Sequence, residues 1–319
     1  MSIEAILSEI KKRERFLITT HMSPEGDAIG SALALAIALS SIGKRVSVCT
    51  MDPIPKILRF LPYSAIVRQI KGVDEWFDAV ITVDCGDLER VGFLVKDKIP
   101  ADVLINIDHH ITNLGFGTLN FVAEAVAAAE LVYQIIKKLG IPVTPEIATC
   151  IYTAIMTETG SFRYSNTTHH AFRVAEEMVS FGANPWVIAE QVYNRNSMGR
   201  IKLLGQILAN LGVSDDGKIS WIIVREQMYK DTGTAKEDVE DIINFPRSIE
   251  GVEVAVLFRE SGHDWKISLR SNGRVDVSTL ASEFGGGGHS MAAGCMIKGK
   301  SLEEVMRQVV TRVEKALPQ

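Results

Sequence analysis

The sequence predicts an α/β protein, in which an N-terminal parallel-sheet domain is joined by a helical linker to a smaller α+β C-terminal domain. Three observations carry this expectation. The 319 residues exceed one ordinary compact domain and suit two. In the first half, short β-branched apolar runs without internal alternation are separated by helical patterns, as strands buried on both faces of a parallel sheet are. After Gly212 the texture changes to strands joined by short polar turns, followed by an amphipathic helix. The expected divisions are a domain over 1–190, a linker over 191–212 and a second domain over 213–319.

The elements follow in order. MSIEAILSEIKKRERF reads as a charged amphipathic helix, with none of the features of a signal peptide. Phe16–Thr20 is a buried strand, and a helix of small residues over Ile29–Ser41 follows it, stopped at Gly43. Val46–Thr50, Ala79–Val83 and Val103–Ile107 are further strands. Helices are expected over Glu124–Leu139, Pro145–Thr157, Thr168–Ser180 and a long stretch around Asn184–Leu211, where the polar segment NRNSMGR marks a hinge. Beyond it, SDDGK turns into the strand Ile219–Val224, and Val252–Phe258 and Trp265–Leu269 flank the turn ESGHD. A helix over Val277–Phe284 precedes Gly285–Gly288, an apolar strand follows SMAAGC, and a last amphipathic helix spans Leu302–Leu317. The sequence shows no internal repeat.

Composition excludes several classes. Hydrophobic residues at 46% and charged residues at 23% rule out a disordered or low-complexity chain. Thirty-four Lys plus Arg against 39 Asp plus Glu leave a net charge of −5. That argues against coating long duplex or single-stranded nucleic acid, where affinity comes from neutralising phosphates. It leaves room for a short anionic substrate held by local cations. Cys49, Cys85, Cys150 and Cys295 lie far apart without a C-x-x-C pair, which fits free thiols in a reducing, cytoplasmic compartment better than zinc or redox motifs. The longest apolar run, Ala32–Leu39, is far too short to span a membrane.

The chemistry concentrates at strand ends. FLITT runs into HMSPEGDAIGS, which carries His21, Glu25 and Asp27; AVITVD ends at Asp84; LINID ends at Asp108, followed by His109 and His110; and the helix from Ile147 ends in TETGS with Glu158. Ligands of open α/β sheets bind at the C-terminal strand edge, so these clusters are expected to converge. Taken singly, a strand-end Asp is most often a cap, and His169-His170 and His263 read as solvated surface residues. Taken together, crowded carboxylates need cations, and mixed Asp/Glu/His ligation rich in oxygen suits Mn²⁺ or Mg²⁺. One acid shared by two ions builds a centre that activates water and stabilises both oxygens of an in-line displacement. The run Gly285–Gly288 with His289 reads either as a loop or as backbone brought close to an anionic ligand. Arg270 and Arg274 are candidate cations beside it; Arg259 fits a solvated strand position equally well.

HMSPEGDAIGS, VDCGD, IDHHITN and TETGSFRYSNT resemble, in order, the four motifs of the DHH phosphoesterases, and FGGGGHSMAAGC resembles the signature of the DHH-associated C-terminal domain. The phrases SFRYSNT and GRVDVSTLASEFGGGGH are similar to those of the small two-domain nano-RNases that are also pAp phosphatases. The resemblance implies two divalent ions, Mn²⁺ foremost, with Mg²⁺ or Co²⁺ as substitutes. One would be held by His21, Glu25, Asp84 and Glu158, and the second by Asp27, Asp84, His109 and Glu158, with Asp84 bridging. His110 would face the phosphate as proton donor or electrostatic stabiliser, and Asp108 would orient the histidines. Arg270, Gly286, Gly287, Gly288 and His289 would hold the nucleotide, in a cleft between the domains. The family usually carries Asp where this chain has Glu25 and Glu158. The implied partners are short single-stranded RNA oligonucleotides and pAp, with no long duplex and no membrane, and a homodimer is a weaker implication. The alternatives are a cyclic-di-AMP or pApA phosphodiesterase and a nucleotide-binding regulatory protein with a degraded metal site.

Overall fold

The computed structural model describes residues 3–94, 98–113, 115–239 and 241–318, so the first two residues of the expected N-terminal helix lie outside it. The chain divides into two compact units, one through Arg195 and one from Asn196 onward.

The first unit contains β1 (Arg15–Thr19), β2 (Arg45–Thr50), β3 (Arg68–Gln69), β4 (Phe77–Val83), β5 (Ala101–Asp108) and β6 (Leu119–Val122). Their order is β3-β2-β1-β4-β5-β6, and every pairing is parallel. From β1 the chain first builds outward through β2 and then returns to place β4 on the other side. The strand order therefore reverses between β1 and β4, and in doubly wound sheets that reversal is where a ligand crevice opens. Both strands are buried along nearly their whole length, as their unalternated apolar sequences predict. The two-residue β3 and the half-exposed β6 were not expected from the sequence. Strands this short at a sheet's edge carry too little periodicity to be read.

The helices of this unit are α1 (Ile3–Lys12), α2 (Gly26–Ser41), α3 (Ala128–Lys138), α4 (Pro145–Glu158), α5 (His169–Ser180) and α6 (Pro185–Ala189). Helix α2 is buried from Gly26 to Leu39, which is why its sequence is apolar on all sides. It lies directly on α4. A Cβ at Gly26 would meet Thr157 Oγ1 at 2.0 Å, and one at Gly30 would meet the Cys150 carbonyl at 2.6 Å. The glycines thus allow an approach that brings Glu158, the last residue of α4, beside the first turn of α2. Helix α3 begins at Ala128, four residues later than expected at Glu124. The long helical stretch expected around Asn184–Leu211 breaks within the polar segment NRNSMGR. After α6 a π-helical turn over Glu190–Asn194 ends the run, and a new helix, α7 (Met198–Leu208), starts with Ser197 Oγ accepting from Arg200 N–H.

The second unit holds α7 and a six-stranded mixed sheet: β7 (Gly212–Val213), β8 (Ile219–Val224), β9 (Val254–Ser261), β10 (Asp264–Ser271), β11 (Gly287–His289) and β12 (Ala292–Ile297). The order is β11-β12-β10-β9-β8-β7, with only β8 and β9 parallel. Alternation along β9 divides two cores. Val254, Val256 and Phe258 pack with α10 (Val277–Ser282) and α11 (Leu302–Ala316). Ala255 and Leu257 pack with α7, α8 (Glu226–Thr232) and the residues just before α9 (Asn244–Arg247). Helix α11 buries Leu302, Val305, Val309 and Val313, a helical stripe, and starts with a capping box between Ser301 and Glu304.

Candidate metal centre

In the first unit the chemistry begins where β1 and β4 end. His21 follows β1 and is 3% exposed. Its Nδ1–H donates to the Met22 carbonyl at 2.8 Å, so Nε2 turns to Glu25 Oε1 at 2.9 Å and Asp84 Oδ2 at 3.6 Å. His109, just past β5, is fixed the same way. Its Nδ1–H donates to the Ala125 carbonyl at 3.1 Å, and Nε2 lies 3.4 Å from Asp84 Oδ1 and 3.6 Å from Asp27 Oδ2. Two imidazoles thus present the same nitrogen from opposite sides of one carboxylate. Asp84 takes this central place through a left-handed turn, φ 54°, at the end of β4, a conformation that costs a side-chain residue energy and clusters at functional sites. It is 1% exposed, and among the described residues its Oδ1 has no hydrogen-bond partner.

Asp27 explains the late start of α3. It lies in the first turn of α2, yet its Oδ2 accepts from Ala128 N–H at 2.6 Å and its Oδ1 from Ala129 N–H at 3.1 Å and Ser31 Oγ at 2.8 Å. The N-cap residue of α3, Ala127, has no side chain to cap with. The helix is capped by a carboxylate from another element, where the unpaired amides and the helix dipole favour a negative charge. A cap supplied at such a distance leaves no local signal in the sequence.

The electrostatics show a centre short of positive charge. Burial, and then the charge of Asp84, raises the Asp27 pKa to about 7. Burial, followed by Asp27 and Asp84, raises that of Glu158 to about 8. Burial opposes charge on His21 and His109 too, but the surrounding carboxylates outweigh it and push both to about 10. For Asp84 the flanking histidines outweigh burial and hold its carboxyl far below the usual range. Crowded acids that must borrow protons are what a bound cation relieves. The donor set fits: among the described residues, His21, Glu25 and Asp84 form one group with ligand atoms within 4.8 Å of one another, and Asp84, His109 and His110 form another. Asp84 belongs to both. Asp27 and Glu158 fall outside these two groups. Asp27 nevertheless meets His109, and Glu158 is placed to feel Asp27 and Asp84.

His110 differs from the other two histidines. Its Nδ1–H donates to Asp108 Oδ1 at 2.7 Å, with Asp108 fully buried. Behind Asp108 stand Asn106 and Asn113, which sequence reasoning had not singled out. Asn113 closes the quoted phrase IDHHITN, and Asn106 is the polar residue inside the otherwise apolar LINI; that interruption of a buried strand was the available signal.

In the second unit, Arg270 on β10 and His289 on β11 are both register partners of Ala292 on β12. They therefore stand in one cross-strand row, about 10 Å apart at two strand spacings. Part of the glycine run packs against its own sheet. A Cβ at Gly286 would strike the Gly294 carbonyl at 2.1 Å, and one at Gly288, φ 145°, would strike the Ala292 carbonyl at 2.5 Å. Gly288 in the edge strand and Gly286 just before it leave no room for a Cβ against β12, whereas Gly287 is open. Arg274 pairs with Glu253 at 3.2 Å, Arg259 Nη1 donates to the Lys236 carbonyl at 3.5 Å, and His263 is exposed. His170, expected to be solvated, is half exposed but lies 3.6 Å from the buried Glu130.

The two units match two known domains. Residues 15–155 match the DHH family N-terminal domain and residues 219–317 the DHHA1 domain. Together with the relatives below, they define the class: the chain belongs to the DHH family of phosphoesterases and is a hydrolytic enzyme. Among curated proteins it is similar to a bifunctional oligoribonuclease and PAP phosphatase of Thermus thermophilus, 36% identical over 94% of this chain and 89% of that one. A protein of the same description from Bacillus subtilis is 27% identical over 92% of each chain. Among solved structures, an exopolyphosphatase-related protein from Bacteroides fragilis is 30% identical with a TM-score of 0.91, covering 98% of this chain and 95% of that one.

Proposed function

We propose that this chain is a manganese-dependent phosphoesterase that releases mononucleotides from very short RNA and dephosphorylates pAp. The observation that carries the reading is Asp84, a buried carboxylate whose Oδ1 has no hydrogen-bond partner among the described residues, shared between two ligand groups, with His21 and His109 locked to offer Nε2 to it. The activities named for the Thermus and Bacillus relatives supply the substrates. His21, Glu25, Asp27, Asp84, His109 and Glu158 would hold two divalent ions. When bound, such ions supply charge neutralisation at phosphorus and a lowered pKa for water. The protein's own residues do the rest. With Nδ1 committed to Asp108, His110 exchanges a proton with the leaving oxygen through Nε2. Asp108 fixes that tautomer and offsets the positive charge when the ring is protonated. Arg270, Gly286, Gly287, Gly288 and His289 bind the nucleotide, and their common row in the sheet supports the role of Arg270 and His289. Four free, buried cysteines agree with a cytoplasmic setting. Among the described residues no helix is long and apolar enough to cross a membrane.

The test is product analysis with purified protein, metal-stripped and then given Mn²⁺, Mg²⁺ or Co²⁺, on RNA of two to five residues, pAp and cyclic-di-AMP. Mononucleotide and phosphate release that is strongest with Mn²⁺ and absent with chelator is expected. Turnover of cyclic-di-AMP alone would overturn the substrate assignment. His289→Ala should then lower turnover about tenfold or more, the worth of a charge-assisted hydrogen bond, while metal content stays unchanged.

A further inference from the structure

We infer that Asn113 is a positioning residue for His110, acting through Asp108; as a statement about the reaction this rests on the function proposed above. The side-chain amide of Asn113 lies where three acceptors converge. Its Nδ2 donates to Asp108 Oδ2 at 2.5 Å and to Asn106 Oδ1 at 2.7 Å, with the Cys85 carbonyl at 3.2 Å. Asn113 Oδ1 accepts from Gly115 N–H at 2.7 Å. Asn106 is fully buried and spends both amide hydrogens, on Thr82 Oγ1 at 3.0 Å and on the Cys85 carbonyl at 3.0 Å. Thr82 Oγ1 in turn donates to the Ile105 carbonyl at 3.3 Å.

Asn106 has one assignable orientation, because its two amide hydrogens and its oxygen all meet partners, and flipping Asn113 would forfeit its bonds to Asp108, Asn106 and Gly115. The network runs between the ends of β4 and β5 and finishes on the Asp108 oxygen that His110 does not use. Asp108 therefore cannot rotate away from His110 Nδ1 without abandoning Asn113. The backbone also lies close by on this side, where a Cβ at Gly86 would stand in ordinary contact with His110 Cβ at 3.5 Å and Asp108 Oδ2 at 3.7 Å. Asn113 touches none of the proposed metal ligands in the bonds above. Its effect should fall on the orientation of one ring and leave the metal centre loaded.

The experiment compares Asn113→Leu, which keeps volume but not the amide, with Asn113→Ser, which restores a hydroxyl donor. Outer partners of this kind are typically worth about 10–100-fold. For Asn113→Leu a loss of that size in kcat for pAp is expected, with KM within about threefold and bound manganese unchanged, and Asn113→Ser should recover part of it. In a His110→Ala background the same Asn113→Leu change should cost less than about twofold, because residues that act as a unit are not additive. Independently of turnover, the His110 Nδ1–H resonance of ¹⁵N-histidine-labelled protein, assigned by its loss in His110→Ala, should disappear or shift strongly in Asn113→Leu. An undisturbed resonance, an equal loss in both backgrounds, or loss of manganese in proportion to activity overturns the inference. If Asn113→Leu does not fold, Asn113→Ser decides by the resonance and by the cycle. If the wild type hydrolyses neither pAp nor short RNA while the resonance responds as expected, the substrate assignment fails and the positioning role stands.

Discussion

At the scale of single residues, the centre turns on one carboxylate and two glutamates. Asp84 is held between two imidazoles, so Asp84→Asn removes the charge that both ligand groups share. Turnover on every substrate should fall below a tenth of wild type in a protein that still folds; circular dichroism and metal analysis check this. The glutamates are differently placed. Glu25 is half exposed and meets His21, whereas Glu158 is partly buried against Asp27 and Asp84. If both ligate, their longer side chains compensate for one another. Glu25→Asp and Glu158→Asp should then each weaken manganese binding, while the double variant recovers part of the loss. A coupling of roughly 0.5–3 kcal/mol is expected in that cycle. Additive losses would mean that the two side chains act separately.

At the scale of elements, geometry comes from close backbone approach and from caps supplied across the chain. The crossing of α2 and α4 depends on Gly26, because a Cβ there would overlap Thr157. Gly26→Ala should therefore destabilise the protein by about 1–3 kcal/mol, the usual cost of overpacking. It should also lower metal affinity, since Glu158 adjoins Thr157; urea unfolding and manganese titration measure the two effects. The same level shows where sequence reading works. The ends of β1, β4 and β5 were legible because an apolar run that must be buried gives way abruptly to acids and histidines. The start of α3 was not, because its cap is Asp27, 101 residues away from Ala128. The glycine run was legible as a place of close backbone approach, and the sheet itself accounts for part of that approach. What lies against Gly286 is the Gly294 carbonyl of the same sheet. Asn106 and Asn113 passed unnoticed because a lone amide is common in loops, and only the fold shows that the two meet.

At the scale of the whole molecule, stability should be linked to pH and metal together. Without metal, Asp27 at about 7, Glu158 at about 8, and His21 and His109 at about 10 all hold protons more tightly folded than unfolded. Between about pH 4 and 10 the folded state then binds more protons than the unfolded one, and stability falls as pH rises. The depressed Asp84 has the opposite sign but acts only below the ordinary carboxylate range. Metal ions replace those protons, so the gain in Tm on adding manganese should be larger at pH 8 than at pH 6. Thermal melts with manganese or chelator at both values check this, and equal gains would show that the ligands do not titrate together.

The span between Asp27 and the amides of α3 also bears on the order in which the molecule is made. The acid sits near the start of the chain, its partners Ala128 and Ala129 come 101 and 102 residues later, and Glu158 later still. Contacts of such separation form only after most of the loop-closure entropy has been overcome, and they slow folding. During synthesis the N-terminal strands emerge long before any ion has a complete set of donors. A divalent ion is therefore expected to enter a sheet already assembled, slowing unfolding without hastening folding.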